Sequence, residues 1–266
     1  MRSGKWPRLG AAARAVSAPA LALVLVSTGA AEATGGAVID NGTVQLGVHD
    51  QGHLNVYDGA PSSGTGTPYV GLRYLPTGAE ATAPGCLCEG WGAADAISGV
   101  SGYANEAVDS IQNMSVVGFS STASSAESVV DIGGTLRVTH DYQPSSTPSL
   151  YEVTVTIENI GANAIEPRYR RVMDWDVEPT AFSEFVTANI GDATALLYNN
   201  NDGFTTANPL GAQSSGWSRR SSPGTSRTSA RTITARSSTS GSTTSNPASP
   251  SRSGSSMAQP TRKRPR

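Results

Sequence analysis

The sequence predicts an all-β fold, an antiparallel β-sandwich of Ig-like or supersandwich-like type. Residues 151–158 (YEVTVTIE) alternate apolar or aromatic side chains with polar ones without a fault, as a strand with one buried and one wet face requires. Comparable short segments, six to eight of them before Thr187, are separated by turn residues. No stretch has a convincing amphipathic helical pattern. Evenly spaced strands with turn signals are typical of sandwiches and barrels.

The N-terminus has the pattern of a secretory signal peptide, residues 1–33. Basic residues precede an apolar run at 15–26, and Ala31-Glu32-Ala33 has the small-x-small pattern that a signal peptidase recognises. The apolar run is too short for a spanning helix, and no later stretch reaches the roughly 20 apolar residues that one needs. We therefore expect a secreted, extracellular protein without a transmembrane segment.

The first strands after this leader form a hairpin. Val44, Leu46 and Val48 alternate before the turn 50–52 (DQG), and Leu54 and Val56 follow it.

Two histidines, His49 and His53, flank this turn. Their spacing invites a metal site, but the sequence offers no evident third ligand, and histidines beside turns are usually solvated. We predict no metal site here.

A short strand at 69–75 precedes a stretch rich in glycine and small residues, 84–106, which we expect to be a long ordered surface loop. Long loops are common places for function. Glu89, Trp91 and Asp95 are therefore candidates for an exposed ligand site. The alternative is that Trp91 fills one end of the sandwich.

Cys86 and Cys88 are the only cysteines in the chain. Outside the cytoplasm they are candidates for a local disulfide, although residues i and i+2 of one strand are close to the limit of disulfide geometry. Two free thiols, or a pair with a metal or redox role, would also be compatible with this spacing.

Further strands are expected at 115–121, 128–132 and 134–142, followed by a hairpin over 151–177. In this hairpin Asn159, Gly161 and Asn163 form the turn, and the returning strand begins near Ile165.

Asp174 and Asp176 share one face of that returning strand, with carboxylates roughly 7 Å apart. Ca²⁺ or glycan binding, or glycoside cleavage by a carboxylate pair, would use such a pair. Arg168 and Arg170 lie on the same face, so salt bridges are the alternative and the stronger interpretation. No cofactor other than Ca²⁺ is indicated.

Three segments together, DIGGTLRVTHDYQP, YEVTVTIENIGANAI and RYRRVMDWDVEPT, resemble an uncharacterised group of bacterial secreted or cell-surface proteins built on Ig-like or mutarotase-like β-sandwiches. The resemblance covers about 37–203. It implies the sandwich fold for a domain at 34–210, and fold alone does not license an activity.

Charge is divided unequally along the chain. Residues 34–203 contain 20 acidic and five basic residues, whereas the ten charged residues after Gly203 are all basic. Because phosphate contacts dominate nucleic-acid affinity, the acidic domain argues against a nucleic-acid partner.

The tail, residues 211–266, is rich in Ser, Thr, Arg, Pro and Gly, which predicts a disordered basic segment. The genetic code suggests a different origin. Suppose that each codon of the original frame consists of the last base of one present codon and the first two bases of the next. TCN serine codons then become Phe, Leu, Ile or Val, and ACN threonine codons become Tyr, His, Asn or Asp. We hypothesise that a frameshift near 214–220 replaced the last strands and left the sandwich incomplete at its C-terminus.

No nucleophile elbow, zinc signature, phosphate loop or EF-hand loop occurs in the sequence. We therefore expect a secreted, non-catalytic β-sandwich domain with a structural or partner-binding role at the bacterial surface, its partner a protein or a glycan. The alternative is a carbohydrate-binding or carbohydrate-active, mutarotase-like domain.

Overall fold

Strands make up all the regular secondary structure of the described residues. The computed structural model describes residues 35–59, 63–183, 185–187, 195–200, 202–212, 225–227, 230–236 and 251–258. These residues contain 19 strands and no helix, so none of them forms a helix that could cross a membrane.

The strands, in chain order, are β1 (Ala37–Asp40), β2 (Val44–Val48), β3 (Val56–Tyr57), β4 (Tyr69–Val70), β5 (Leu72–Tyr74), β6 (Ala79–Glu80), β7 (Gly90–Asp95), β8 (Ser101–Asn105), β9 (Ser110–Gln112), β10 (Met114–Ser121), β11 (Ala126–Ile132), β12 (Leu136–Pro144), β13 (Leu150–Asn159), β14 (Pro167–Asp174), β15 (Phe185–Thr187), β16 (Leu196–Asn200), β17 (Thr225–Arg227), β18 (Ala230–Arg236) and β19 (Ser251–Ala258).

Every strand pair among them is antiparallel. The two largest sheets have the orders β10-β11-β12-β13-β19 and β16-β18-β14-β7-β8-β9, and a four-stranded sheet has the order β1-β2-β5-β6. The pairs β3-β4 and β15-β17 complete the set. The predicted all-β antiparallel fold is confirmed.

The core lies between the two largest sheets, as in a sandwich, and apolar residues of β1 and β2 join it. On β12 and β13 every second residue is buried, which is the alternation that the sequence contains. These apolar faces pack with Trp91 and Ala93 of β7, Met173 of β14 and Leu46 of β2 in one cluster.

The hairpin predicted over 151–177 is wrong, although both of its strands exist. β13 pairs with β12 and β19, whereas β14 pairs with β7 and β18 in the opposite sheet. The turn residues between the two strands allow the chain to reverse, but they do not determine which strand β14 pairs with. Residues 160–166 instead carry the chain from one sheet to the other.

The long loop predicted over 84–106 is also wrong, because most of it forms the β7-β8 hairpin. Its glycines serve close packing. A Cβ on Gly90 would lie 2.4 Å from the carbonyl oxygen of Ala104, and a Cβ on Gly92 would lie 2.4 Å from that of Ala207. The glycines that lower the strand propensity of this segment are therefore required because neighbouring backbones leave no room for a Cβ.

The other predicted strands agree with the structure to within a few residues, but the hairpin predicted around the 50–52 turn is wrong, because β2 pairs with β1 and β5 and meets the following segment only at the bridge of Val48 with Leu54. β11 pairs with β12 over its full length, and β10 pairs with β11 around a bulge at 116–118. The predicted strand at 69–75 is divided at Gly71 into β4 and β5, which belong to different sheets.

The two chain ends are described only in part. The predicted leader, residues 1–33, lies outside the described residues, as does most of the predicted disordered tail at 211–266. Three tail segments are described. β17 pairs with β15, β18 lies between β14 and β16, and β19 pairs with β13.

Candidate functional site

A turn of the backbone is inserted into the interior of the sandwich. This buried turn, residues 50–54, follows β2, and two hydrogen bonds hold it closed: the amide of His49 donates to the carbonyl of His53, and the amide of Gly52 donates to that of His49. Gly52 has a φ of 80°, a conformation that glycine adopts without steric cost. Gly52, His53 and Leu54 are all buried.

Side chains from both large sheets satisfy the backbone polar groups of the buried turn. Such partners are needed because a buried amide or carbonyl without one costs free energy. The bonds are Ser128 Oγ to the carbonyl of Asp50 at 2.6 Å, Trp91 Nε1 to that of Gln51 at 2.8 Å, Tyr142 Oη to that of Gly52 at 2.7 Å, and the amide of Leu54 to Oε2 of Glu89 at 2.5 Å.

An ion pair lies at the centre of this arrangement. Arg171 donates through Nε to Oε1 of Glu89 at 2.5 Å, and through Nη1 to Tyr142 Oη at 3.1 Å. Both charged side chains are buried. Burial lowers the pKa of Arg171, but Glu89, Tyr142 and Tyr169 together raise it well above its ordinary value, so the guanidinium stays charged.

The prediction that Glu89, Trp91 and Asp95 form an exposed ligand site is therefore wrong. Their exposed fractions are 0%, 0% and 2%. Trp91 is buried, as the alternative that it fills one end of the sandwich requires, and it belongs to the core cluster. Glu89 directly precedes β7, and Trp91 and Asp95 lie on it. All three residues are buried in the protein.

Asp95 organises the β7-β8 turn. Its carboxylate accepts hydrogen bonds from the amides of Ile97, Ser98 and Glu166 and from the hydroxyl of Ser98. Burial alone would raise the pKa of Asp95, but these hydrogen bonds, that of Ser98 first, hold it at about 2.

The acidic pair Asp174 and Asp176 is also buried, at 3% and 1% exposure. Burial raises the pKa of Asp176, and the hydrogen bond from the amide of Phe182 offsets part of this rise. The two arginines predicted to pair with these carboxylates have other partners among the described residues. Arg168 pairs with Glu166 across 3.3 Å, and Arg170 donates to the carbonyls of Thr206 and Gly211.

Cys86 and Cys88 form a disulfide, which the sequence suggested for an oxidising compartment. Oδ2 of Asp174 lies 3.3 Å from Sγ of Cys86. These three residues are close enough to suggest a metal cluster. However, cysteine binds metals as a thiolate, and the two sulfurs here are bonded to each other, so neither is a thiolate ligand.

A surface cavity of about 320 Å³ lies beside this disulfide. Two segments line it, residues 65–69 and 83–87. Tyr69 contributes an aromatic wall and packs edge-on against Tyr57, with the ring centroids 5.4 Å apart.

Another group of side chains lies where the buried turn meets the loop after β8. The rings of His49 and His53 stack with centroids 4.2 Å apart, and the Nε2 atom of each lies 3.4 Å from Oε1 of Glu106. His53 is only 1% exposed, so the expectation of solvated turn histidines is wrong for it.

Sequence reasoning missed Glu106 because it is separated from His53 by 53 positions. Only the pairing of β7 with β8 brings it to the turn. The i, i+4 spacing of the two histidines was the one signal available in the sequence.

No family model matches the chain, and no curated protein or solved structure is significantly similar to it.

Replacing Gly52 with alanine tests whether the buried turn depends on its tight fit. The new Cβ would lie 2.9 Å from Nδ1 of His140 and 3.1 Å from Oγ of Ser128. Strain at positive φ costs about 1–2 kcal/mol and overpacking about 1–3 kcal/mol. We expect the free energy of unfolding, measured by urea denaturation, to fall by about 2–5 kcal/mol.

Gly42→Ala is the matched control, because Gly42 has a similar φ of 85° and nothing within 4 Å of a Cβ. It should lose only the conformational part, about 1–2 kcal/mol. Equal losses in the two variants would contradict a crowded, inserted turn.

Proposed function

We propose that this chain is a non-catalytic β-sandwich domain that acts outside the cytoplasm, where it binds a partner or supports a structure at the bacterial surface. The observation that carries this proposal is the use of its acidic side chains. The carboxylates that the sequence offers as candidate sites are engaged inside the fold, where they hold backbone and arginine in place.

Glu80 and Glu178 extend the same pattern beyond the predicted sites. Glu80 accepts hydrogen bonds from the amides of Gly71 and Leu72, and Glu178 accepts from those of Gly64 and Glu80. Carboxylates bonded in this way anchor loops in a fold built of strands. Four acidic residues, Glu80, Glu89, Asp95 and Glu178, are thus used within the fold without a substrate.

The carboxyl pair of Asp174 and Asp176 also favours a non-catalytic role. Glycosidases place their two carboxyl groups about 5–5.5 Å apart when retaining, and about 6.5–9.5 Å apart when inverting, to leave room for the sugar or for water. Here both carboxyl groups are buried, at 3% and 1% exposure. A glycosidic bond in solution cannot reach them.

Location outside the cytoplasm is supported by the leader pattern in residues 1–33 and by the disulfide of Cys86 with Cys88. Disulfides persist in oxidising compartments and are rare in the cytosol.

The surface best suited to a partner is the edge where β9 and β10 succeed one another, each at the end of its sheet order. Ile111, Val116 and Val117 are 40%, 41% and 50% exposed there. Exposed apolar side chains on an edge strand favour association, because the edge also presents backbone hydrogen-bonding groups.

Site-specific photocrosslinking on producing cells tests the proposal. A photoreactive residue at Val117 should yield one defined crosslinked partner, whereas the same residue at Asn163, an exposed loop position, should not. The purified partner should bind the purified chain, and Val117→Lys should weaken that binding. Equal products from both positions, or none from Val117, would refute this use of the edge.

A carbohydrate-binding role is the second candidate, and the cavity beside Tyr69 favours it. Its lining combines an aromatic ring with the hydroxyl-bearing residues Thr65 and Thr67. Aromatic faces with a few placed polar groups are typical of small-ligand sites.

A glycan array probed with the secreted chain tests this second candidate. Binding that Tyr69→Ala abolishes and Phe204→Ala leaves intact would support it, since Phe204 is an exposed aromatic residue outside the cavity lining. The absence of binding to every glycan would count against it.

A further inference from the structure

We infer that His49, His53 and Glu106 form a binding site for a divalent transition-metal ion of the zinc class. One ligand atom from each residue lies within 4.8 Å of the other two, and they come from two separate loops. His49 directly precedes the buried turn, His53 lies within it, and Glu106 begins the connection from β8 to β9.

The separation of the carboxylate oxygen from each imidazole nitrogen fits tetrahedral coordination. Zinc binds histidine nitrogen and carboxylate oxygen at about 2.0–2.2 Å, which places neighbouring tetrahedral ligands about 3.3–3.6 Å apart. Both Nε2–Oε1 separations are 3.4 Å. The carboxylate oxygen therefore already lies at the distance from each imidazole that a shared ion requires.

The donor set selects the class of ion. Two imidazole nitrogens and one carboxylate suit zinc and its neighbours among the transition metals, whereas Ca²⁺ takes six to eight oxygen ligands. The side chains of His49 and Glu106 are 18% and 34% exposed, so water can supply a fourth ligand from the solvent side.

Binding requires a small rearrangement of His49. Its Nε2 also lies 3.2 Å from the carbonyl oxygen of Asn55, a contact that the ion would replace. The lone pair of an imidazole nitrogen lies in the ring plane, and the two rings are within 4° of parallel. One ring must therefore tilt toward the ion, and the more exposed His49 has the freedom to do so.

The ion would fasten the buried turn to the β8-β9 connection. Nδ1 of His53 has no hydrogen-bond partner among the described residues, so the protein fixes this ring by packing and through Nε2 alone. A metal bond at Nε2 would hold it more firmly. The structural role of the ion, which joins the buried turn to the β8-β9 connection, does not depend on the proposed binding function.

Calorimetric titration of the metal-free chain with Zn²⁺ tests the site. We expect one ion per chain, no saturable binding of Ca²⁺, and an unfolding midpoint that rises with Zn²⁺ concentration. Glu106→Gln and His49→Asn should each weaken Zn²⁺ binding at least tenfold, since even outer partners of metal ligands contribute about 10–100-fold.

Glu127→Gln is the matched control, because Glu127 is an exposed acid on β11. It should bind Zn²⁺ as the parent chain does. Circular dichroism of each variant establishes that it is folded before titration. No saturable binding by the parent chain, or binding that the folded Glu106→Gln and His49→Asn variants retain unchanged, would overturn the site.

A second inference rests on strand register. β19 lies against β13 with Ser251, Ser253 and Ser255 opposite Ile157, Val155 and Val153, respectively. Residues directly opposite in an antiparallel pair share a face of the sheet. Three serines thus hold the register positions of β19 that match the buried apolar face of β13.

We propose that the codons of these three serines encode apolar residues in the original reading frame. Read in the shifted frame, TCN codons at 251, 253, 255 and 256 encode Phe, Leu, Ile or Val. The first three fall at every second position, which is the period that the β13 face requires. The register thus adds a structural observation to the codon arithmetic.

The gene's nucleotide sequence tests this proposal first. We expect TCN codons at the three serines and an open shifted frame from 214 to 258. A stop codon in that frame, or AGY serine codons, would overturn it. A chain with the frame restored should also unfold at a higher temperature than this one, and an equal or lower midpoint would contradict the proposal.

Discussion

The ion pair of Arg171 with Glu89 is the constraint around which the interior is arranged. Two buried charges have to be compensated by each other and by further hydrogen bonds, since burial of an unpaired charge costs several kcal/mol. Tyr142 and the buried turn complete that compensation, because Arg171 also donates to Tyr142, and Glu89 accepts from the amide of Leu54. The pair therefore fixes where the turn lies. Replacing one partner would leave the other buried and uncompensated, and would also release the turn that carries the two metal-site histidines.

The regular part of the fold was predictable because one physical rule governs it. Where one face of a strand is buried and the other wet, alternation marks the strand, as in β12 and β13. The rule fails where both faces are covered, as in β7, whose six residues are all buried. There the close approach of neighbouring backbones selects Gly and Ala, which resemble loop residues in the sequence. Strand pairing was also predicted wrongly. Alternation identifies β13 and β14, but it carries no information on which sheet each will join.

The candidate sites were less predictable than the strands, for a reason of distance along the chain. A carboxylate is interpreted as a candidate ligand when its partners are unknown, and the partners of Asp95 are mostly backbone amides, while Glu89 accepts from the amide of Leu54 and from Arg171. Backbone donors leave no signature in the sequence. The converse applies to His49 and His53, which were set aside for want of a third ligand. Glu106 supplies it through the pairing of β7 with β8, a contact that local spacing does not reveal.

The position of Arg171 links the interior to the C-terminal strands. β14 pairs with β7 on one side, which places Arg171 opposite Trp91, next to Gly90 and Glu89. On its other side it pairs with β18, which places Arg171 opposite Ile233 and Met173 opposite Arg231. β14 is thus an interior strand whose two ladders hold it in register. Without β18, one row of its backbone groups would be an open edge, and the strand that carries the central arginine would be held from one side alone. The composition of the tail therefore bears on the ion pair, on the buried turn, and through the turn on the histidines at its two ends.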